Sequence, residues 1–200
     1  GLVSTDRIEL KPAGGLKIIY RSNLYMQTEE FKESYDALVE LIKTNEGYIQ
    51  YSDISGGYTS DSGYYYEYYA YLTVRIPSDK YSSFLAHSES IATITNKTEN
   101  SEDITSAYID TEARLKSLKV QEERLLDLLK TADIMADIIE IETKLSDVRY
   151  QIESYQSQKN TFDNLLSYST VEIELREVKN IVSPKNTFGE RITTAIKDSF

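Results

Sequence analysis

Cysteine is absent from the 200 residues, and histidine occurs once, at His87. Without cysteine there is no disulfide, no thiol nucleophile and no thiolate metal site, and redox logic leaves the compartment open. A lone histidine gives a transition metal no second nitrogen ligand. A Ser-His-Asp triad would have to rest on His87, yet no strained Gly-x-Ser-x-Gly elbow occurs anywhere in the chain. Long apolar runs are missing as well, and nothing approaches the ~20 residues that a membrane span needs. Bases are in the minority, with 22 Lys and Arg against 33 Asp and Glu and a net charge of −11. That surface lacks the basic face on which nucleic acid binds. The chain starts at Gly1 rather than Met, so we expect a processed or truncated piece from which a signal or anchor has been cut.

What is present describes a chain able to bury a real core, with 40% apolar and 28% charged residues. Charge is unevenly spread. Residues 1–103 hold 16 acids against 9 bases and residues 104–166 hold 12 against 8, whereas residues 167–200 hold 5 of each. The neutral C-terminal end is therefore the part that tolerates an anionic membrane surface best.

Residues 1–15 lack periodicity and end in Pro-Ala-Gly-Gly, which reads as a flexible leader. "LKIIYRSNLYMQT" then alternates as a strand. Thr28 is placed to cap a helix whose apolar positions Phe31, Tyr35, Leu38 and Ile42 recur at helical spacing, and Gly47 is expected to end it in the left-handed conformation. Strands follow in "GYIQYSDI" and "AYLTVRIP", then a short helix through Tyr81, Phe84 and Leu85, and a strand at 90–98. The order strand, helix, strand, strand, helix, strand predicts an α+β body of the split βαβ, ferredoxin-like kind.

Between this body and a fifth strand, "YSTVEIELREV", lies the most regular stretch of the chain. Ile104, Tyr108, Thr111, Leu115, Leu118, Glu122, Leu125 and Leu129 follow an unbroken +4, +3 pattern, which restarts after Thr131-Ala132-Asp133 and runs from Ile134 to Phe162. Heptads on two helices joined by a short break predict an antiparallel coiled-coil hairpin over 104–166, inserted into a body made of 16–103 and 167–178. Leu126, Leu128, Met135 and Ile139 add apolar surface beyond the seam near its tip, which makes them the candidate surface for a protein partner or for self-association. The polar seam positions Thr111, Glu122 and Lys159 set register.

Six tyrosines fall in the eight positions 64–71, within "GYYYEYYAYLTVRIP". By alternation Tyr64, Tyr66, Tyr68 and Ala70 continue the face of Leu72, Val74 and Ile76 along one uninterrupted strand. Tyr65, Tyr69 and Tyr71 lie on the other face. Two readings stand: a self-supporting aromatic ladder paired with Tyr48, Tyr51 and Tyr58, or a contact surface formed by Tyr65, Tyr69 and Tyr71. On that second face Arg75 is a candidate for a structural ion pair with Asp110 or Glu112 at the start of the hairpin. Acidic pairs such as Glu122-Glu123 and Asp137 with Glu140 read as solvated helix surface, and "SDISGGYTSDSG" lacks the carboxylate spacing of a calcium loop. Nothing nominates a catalytic residue, a metal ligand or a cofactor site.

The stretches "SEDITSAYIDTEARLKSLKVQEERLLDLL", "DIIEIETKLSDVRYQIES" and "YSTVEIEL", together with "LTVRIP" at 72–77, closely resemble the family called domain of unknown function 4349. The resemblance covers residues 16–178 and departs mainly at the tyrosine-rich 58–71. Within the C-terminal segment 179–200, residues 188–200, "FGERITTAIKDSF", form an amphipathic pattern that reads either as a terminal helix docked on the body or as the start of a juxtamembrane helix, and it resembles the stretch before a C-terminal span in that family. The resemblance implies a bacterial, extracytoplasmic domain anchored to the cell membrane by a removed N-terminal lipid anchor or a C-terminal span, in some members alongside anti-sigma-type regulators. It implies no activity. The expected function is thus a non-enzymatic, membrane-tethered interaction or sensory module. The alternative is a cell-envelope glycan or ligand binder, or a hydrolase, using the tyrosines and surface carboxylates.

Overall fold

The computed structural model describes residues 15–179. The leader and the C-terminal amphipathic helix expected above lie almost wholly outside them. In chain order the elements are β1 (Ile18–Thr28), α1 (Phe31–Thr44), β2 (Tyr48–Ser55), β3 (Tyr58–Thr59), β4 (Tyr65–Tyr66) and β5 (Tyr69–Pro77). There follow α2 (Tyr81–Ser88), β6 (Thr93–Asp103), α3 (Thr105–Thr131), α4 (Met135–Ser167) and β7 (Tyr168–Glu177). They form two compact units: residues 20–100 with 168 onward, and residues up to 19 with 101–167.

The first unit is built on a mixed five-stranded sheet of order β2-β5-β7-β1-β6. β7 runs antiparallel to β5 and parallel to β1, and β2 runs antiparallel to β5. A split βαβ sheet would set β1 directly beside β5. Here β7 occupies that central position, so the ferredoxin-like order expected from the element sequence is corrected. The physical reason is that "TVEIELRE" buries Val171, Ile173 and Leu175 completely on one face. A strand with that pattern is better satisfied with a ladder on both sides than at an edge, where its backbone groups on one side would lack partners.

Alternation decides what each face carries. Leu24 and Met26 of β1, Ala70 to Ile76 of β5 in steps of two, and Val171, Ile173 and Leu175 of β7 share the buried face. Phe31, Leu38 and Ile42 of α1 and Tyr81, Phe84 and Leu85 of α2 close the same core from above. Both helices of this unit thus lie on one side of the sheet.

Local details depart from expectation in three places. Thr28 does not cap α1; its hydroxyl instead bonds Ser34 Oγ at 2.7 Å and accepts the Glu30 N–H at 3.0 Å, closing the turn from inside. After α1 it is Glu46, not Gly47, that takes the left-handed conformation, with φ of 57°. Gly47 is needed for room, because a Cβ there would run into the Ile76 side chain and the Arg75 carbonyl. The tyrosine run, finally, is not one strand. β4 leaves the main sheet at Glu67 and pairs with β3 as a separate two-stranded flap, Tyr58 opposite Tyr66 and Thr59 opposite Tyr65. Gly56 and Gly57, both at positive φ, allow this: a Cβ on Gly57 would collide with the Tyr68 ring.

The second unit is the pair α3 and α4, 27 and 33 residues long. Contacts pair Tyr108 with Phe162, Glu122 with Arg149 and Leu125 with Leu145, so the helices run in opposite directions. Its apolar contacts form two clusters, one of Ile19, Ile104 and Tyr108 against Phe162, Leu165 and Leu166, the other of Leu125, Leu145 and Val148 reaching to Leu118 and Ile152 at mid-helix.

Candidate functional site

On the face of the sheet opposite the core, the register sets side chains in rows. Tyr71 of β5, Glu174 of β7 and Tyr25 of β1 form one row, and Tyr69, Arg176 and Gln27 form the next. Arg176 donates from Nη2 to Glu174 at 3.1 Å, and its guanidinium carbon lies 5.2 Å from the Tyr69 ring centroid. Burial, and then the neighbouring Glu174 carboxylate, push the Tyr69 phenol above its ordinary pKa. Tyr51 of β2 meets Tyr71 edge-on, with centroids 6.1 Å apart, and extends the aromatic surface outward. Toward β6 the rows border a groove of about 500 Å³ lined by Tyr25, Gln27, Thr95, Asn96, Glu174 and Arg176.

A carboxylate bridges the flap and the sheet, beside a backbone bond from the Glu177 N–H to the Tyr68 carbonyl at 2.8 Å. Glu177 Oε2 accepts the Tyr65 hydroxyl and the Tyr68 backbone N–H, each at 2.9 Å. The bond from Tyr65, followed by burial, raises the Tyr65 pKa. Tyr68 turns to the core side and stacks on Phe31 with centroids 4.8 Å apart. Tyr66 stacks on Tyr58 at 4.8 Å, and Tyr64 meets Tyr66 edge-on at 5.0 Å. The tyrosines are therefore divided among three environments: Tyr69 and Tyr71 on the open face of the sheet, Tyr68 against the core, and Tyr58, Tyr64, Tyr65 and Tyr66 on the flap.

Arg75 is 5% exposed and donates to the Thr170 hydroxyl across the β5–β7 ladder. Its expected partners have partners of their own on the helices. Asp110 accepts from Arg114 Nε at 2.8 Å, and Glu112 stands 3.7 Å from Lys159. The single histidine bonds through Nδ1 to the Ser83 carbonyl of its own helix at 2.7 Å.

In the helical pair the polar seam positions are all satisfied. Thr111 donates to the Ala107 carbonyl at 2.8 Å, and Glu122 accepts from Arg149 at 2.7 Å. Lys159 donates to the Tyr108 hydroxyl at 2.9 Å and to Asp163 at 2.8 Å, while the same hydroxyl donates to Asp163 at 2.7 Å. Those bonds, from Lys159 first and Tyr108 second, hold Asp163 below the usual carboxylate range, and Asp163 in turn raises Lys159. Lys17 completes the cluster with its ammonium 4.7 Å from the Tyr108 ring centroid.

At the loop end of this pair the apolar surplus read from the sequence stands in solvent. Leu128 is 56%, Met135 69% and Ile139 57% exposed, with Ile134 beside them at 63%. Leu126, by contrast, is half-buried against the Leu125–Leu145 cluster and belongs to the packing. Among the described residues no group of three or more His, Asp or Glu is placed to hold a metal ion, and no helix is long and apolar enough to cross a membrane.

The sequence alone does not disclose the two adjacent pairs, Tyr25 with Glu174 and Gln27 with Arg176. The signal was available: each pair shares the polar phase of an alternating strand. Without knowing that β1 and β7 are neighbours, however, nothing brings them together.

The family model described as Domain of unknown function (DUF4349) matches residues 16–200. No curated protein and no solved structure matches the chain. A match over nearly the whole chain, on a fold in which α3, α4 and β7 carry the resembling stretches, shows that the chain belongs to the DUF4349 family.

Proposed function

We propose that the chain is a non-enzymatic interaction or sensory module, tethered to the bacterial membrane on its extracytoplasmic side, that meets a protein partner through the loop end of α3 and α4. In this reading the helical pair is a two-stranded antiparallel coiled coil. The observation that carries the proposal is the cluster of Leu128, Ile134, Met135 and Ile139, each more than half exposed. Four large apolar side chains gathered at one end of a slender helical pair are costly in water unless they are covered part of the time.

The flanking charge selects the partner. Between Glu122 and Lys144 there are seven acidic residues against three basic ones. Two of those bases are engaged locally, Lys130 with Asp127 and Lys144 with Glu140. A second copy would bring like charges together. A partner helix with an apolar face and basic flanks is complementary in both respects.

The test is photo-crosslinking in the producing cell, with a photo-reactive phenylalanine analogue at position 128, 135 or 139 and at exposed position 116 as control. A discrete adduct from the three apolar positions and none from 116 supports the proposal, provided that Leu128→Ser, Met135→Ser and Ile139→Ser abolish it. An adduct at twice the chain's own mass would assign the surface to self-association. Absence of any adduct from all three positions overturns the reading.

A further inference from the structure

We propose that the open face of the sheet, at the groove between β7, β1 and β6, binds a neutral saccharide. A pyranose ring has C–H faces that lie flat on aromatic rings and a rim of hydroxyls that bond to planar polar side chains. The groove offers the complement of both. Tyr25 supplies the aromatic wall of the groove, and Tyr71 extends the aromatic surface beyond it on the far side of Glu174, about 10 Å away across the sheet. Tyr25 is 37% exposed and lines the groove on the β1 side.

The polar groups select a ligand rich in donors. Glu174 is an acceptor only, and Gln27 Oε1 is buried with no hydrogen-bond partner. Gln27 lines the groove beside Arg176, its register partner, so a turn of its soft terminal amide torsion presents that oxygen to a bound hydroxyl. An unpartnered buried acceptor of this kind is rare and calls for a donor.

The charge pattern separates a saccharide from the alternatives. Glu174 is already balanced by Arg176 at 3.1 Å, which removes most of the attraction for a free cation. With that pair neutral, Glu172, a further carboxylate on the same face, repels a phosphate-bearing ligand. A neutral polyol meets neither penalty. The site is distinct from the loop end of α3 and α4, so the two proposals fail independently.

The experiment uses the full chain, labelled with ¹⁵N and titrated with cellotetraose, chitotetraose and maltotetraose in separate amide-shift series. Binding predicts saturable shifts at Tyr25, Gln27, Glu174 and Arg176 with at least one glycan. Tyr25→Ala should weaken the affinity about tenfold and Glu174→Gln should weaken it measurably, while Tyr64→Ala, on the flap, leaves it unchanged. Tyr25 and Glu174 lie outside the core, and preserved amide dispersion in both variants confirms that they fold. The proposal is overturned by absence of saturable shifts at about 10 mM of all three glycans, which detects a Kd of about 1 mM. Shifts confined to the flap, or affinity untouched by both substitutions, overturn it equally.

Discussion

Replacing Gly57 by alanine tests how the flap joins the sheet. Two costs are expected at that position. The backbone sits at φ of +73°, where an L-residue pays about 1–2 kcal/mol. The added Cβ would also overlap the Tyr68 ring, which is stacked on Phe31 at 4.8 Å and has no free volume to retreat into on that side. Overpacking of this kind costs about 1–3 kcal/mol, so the total is about 3 kcal/mol. Gly63 is the internal control: it has φ of +81°, and a Cβ added there meets nothing within 4 Å, so Gly63→Ala should cost only the conformational part. The two variants should therefore differ by about 2 kcal/mol, or about 4–8 °C in Tm for a chain of this size. Urea and thermal unfolding followed by far-UV circular dichroism measure both. Tyr68→Ala supplies the second axis, because in that background Gly57→Ala should cost no more than Gly63→Ala. Equal losses at Gly57 and Gly63 in the wild-type background would refute the reasoning.

Two further outcomes follow from the packing and the charges. Asp163 is held below its ordinary value of 3.8, so its contribution to the α3–α4 pair is complete above that value and is lost as pH falls through the folded pKa. Asp163→Asn should flatten the acid limb of urea stability between about pH 5 and pH 2; parallel limbs in wild type and variant would remove this role. Phe84 is fully buried between α2 and the sheet, and Phe84→Ala should cost about 3–5 kcal/mol. A loss under about 1 kcal/mol in the same urea assay would mean that the core repacks around the cavity.

Much of the architecture can be read directly from side-chain periodicity. Ala70, Leu72, Val74 and Ile76 alternate because one face of β5 is dry, and Val171, Ile173 and Leu175 repeat the signal in β7. The +4, +3 spacing of Leu115, Leu118 and Leu125 likewise reports a helix packed along one stripe. Neighbour relations are written elsewhere. β7 joins β1 through backbone hydrogen bonds that any residues could make, so "VEIELRE" declares two faces and says nothing about who stands beside it. For the same reason the groove could not be foreseen: Glu174 and Arg176 look like ordinary solvent-side residues until Tyr25 and Gln27 are placed next to them. The break in the tyrosine run was hidden for a different reason. Tyrosine suits a strand, a flap and a partly wet core equally well, and the feature that separates Tyr66 from Tyr68 is the space left by Gly57, well upstream in the chain.

The central position of β7 also governs the timing of assembly. Asn23 and Glu172, bonded across β1 and β7, are 149 residues apart in the chain. Until β7 has been made, β1 and β5 each present an unpaired ladder toward the vacancy between them, the condition in which nascent sheets pair with the wrong strand or with another molecule. The helices α3 and α4, which precede β7 directly, need only each other and a three-residue connection to begin pairing. Synthesis from the N-terminus would thus complete the α3–α4 pair before the sheet. The closing strand is the step on which a folding catalyst or holdase would have its largest effect on yield.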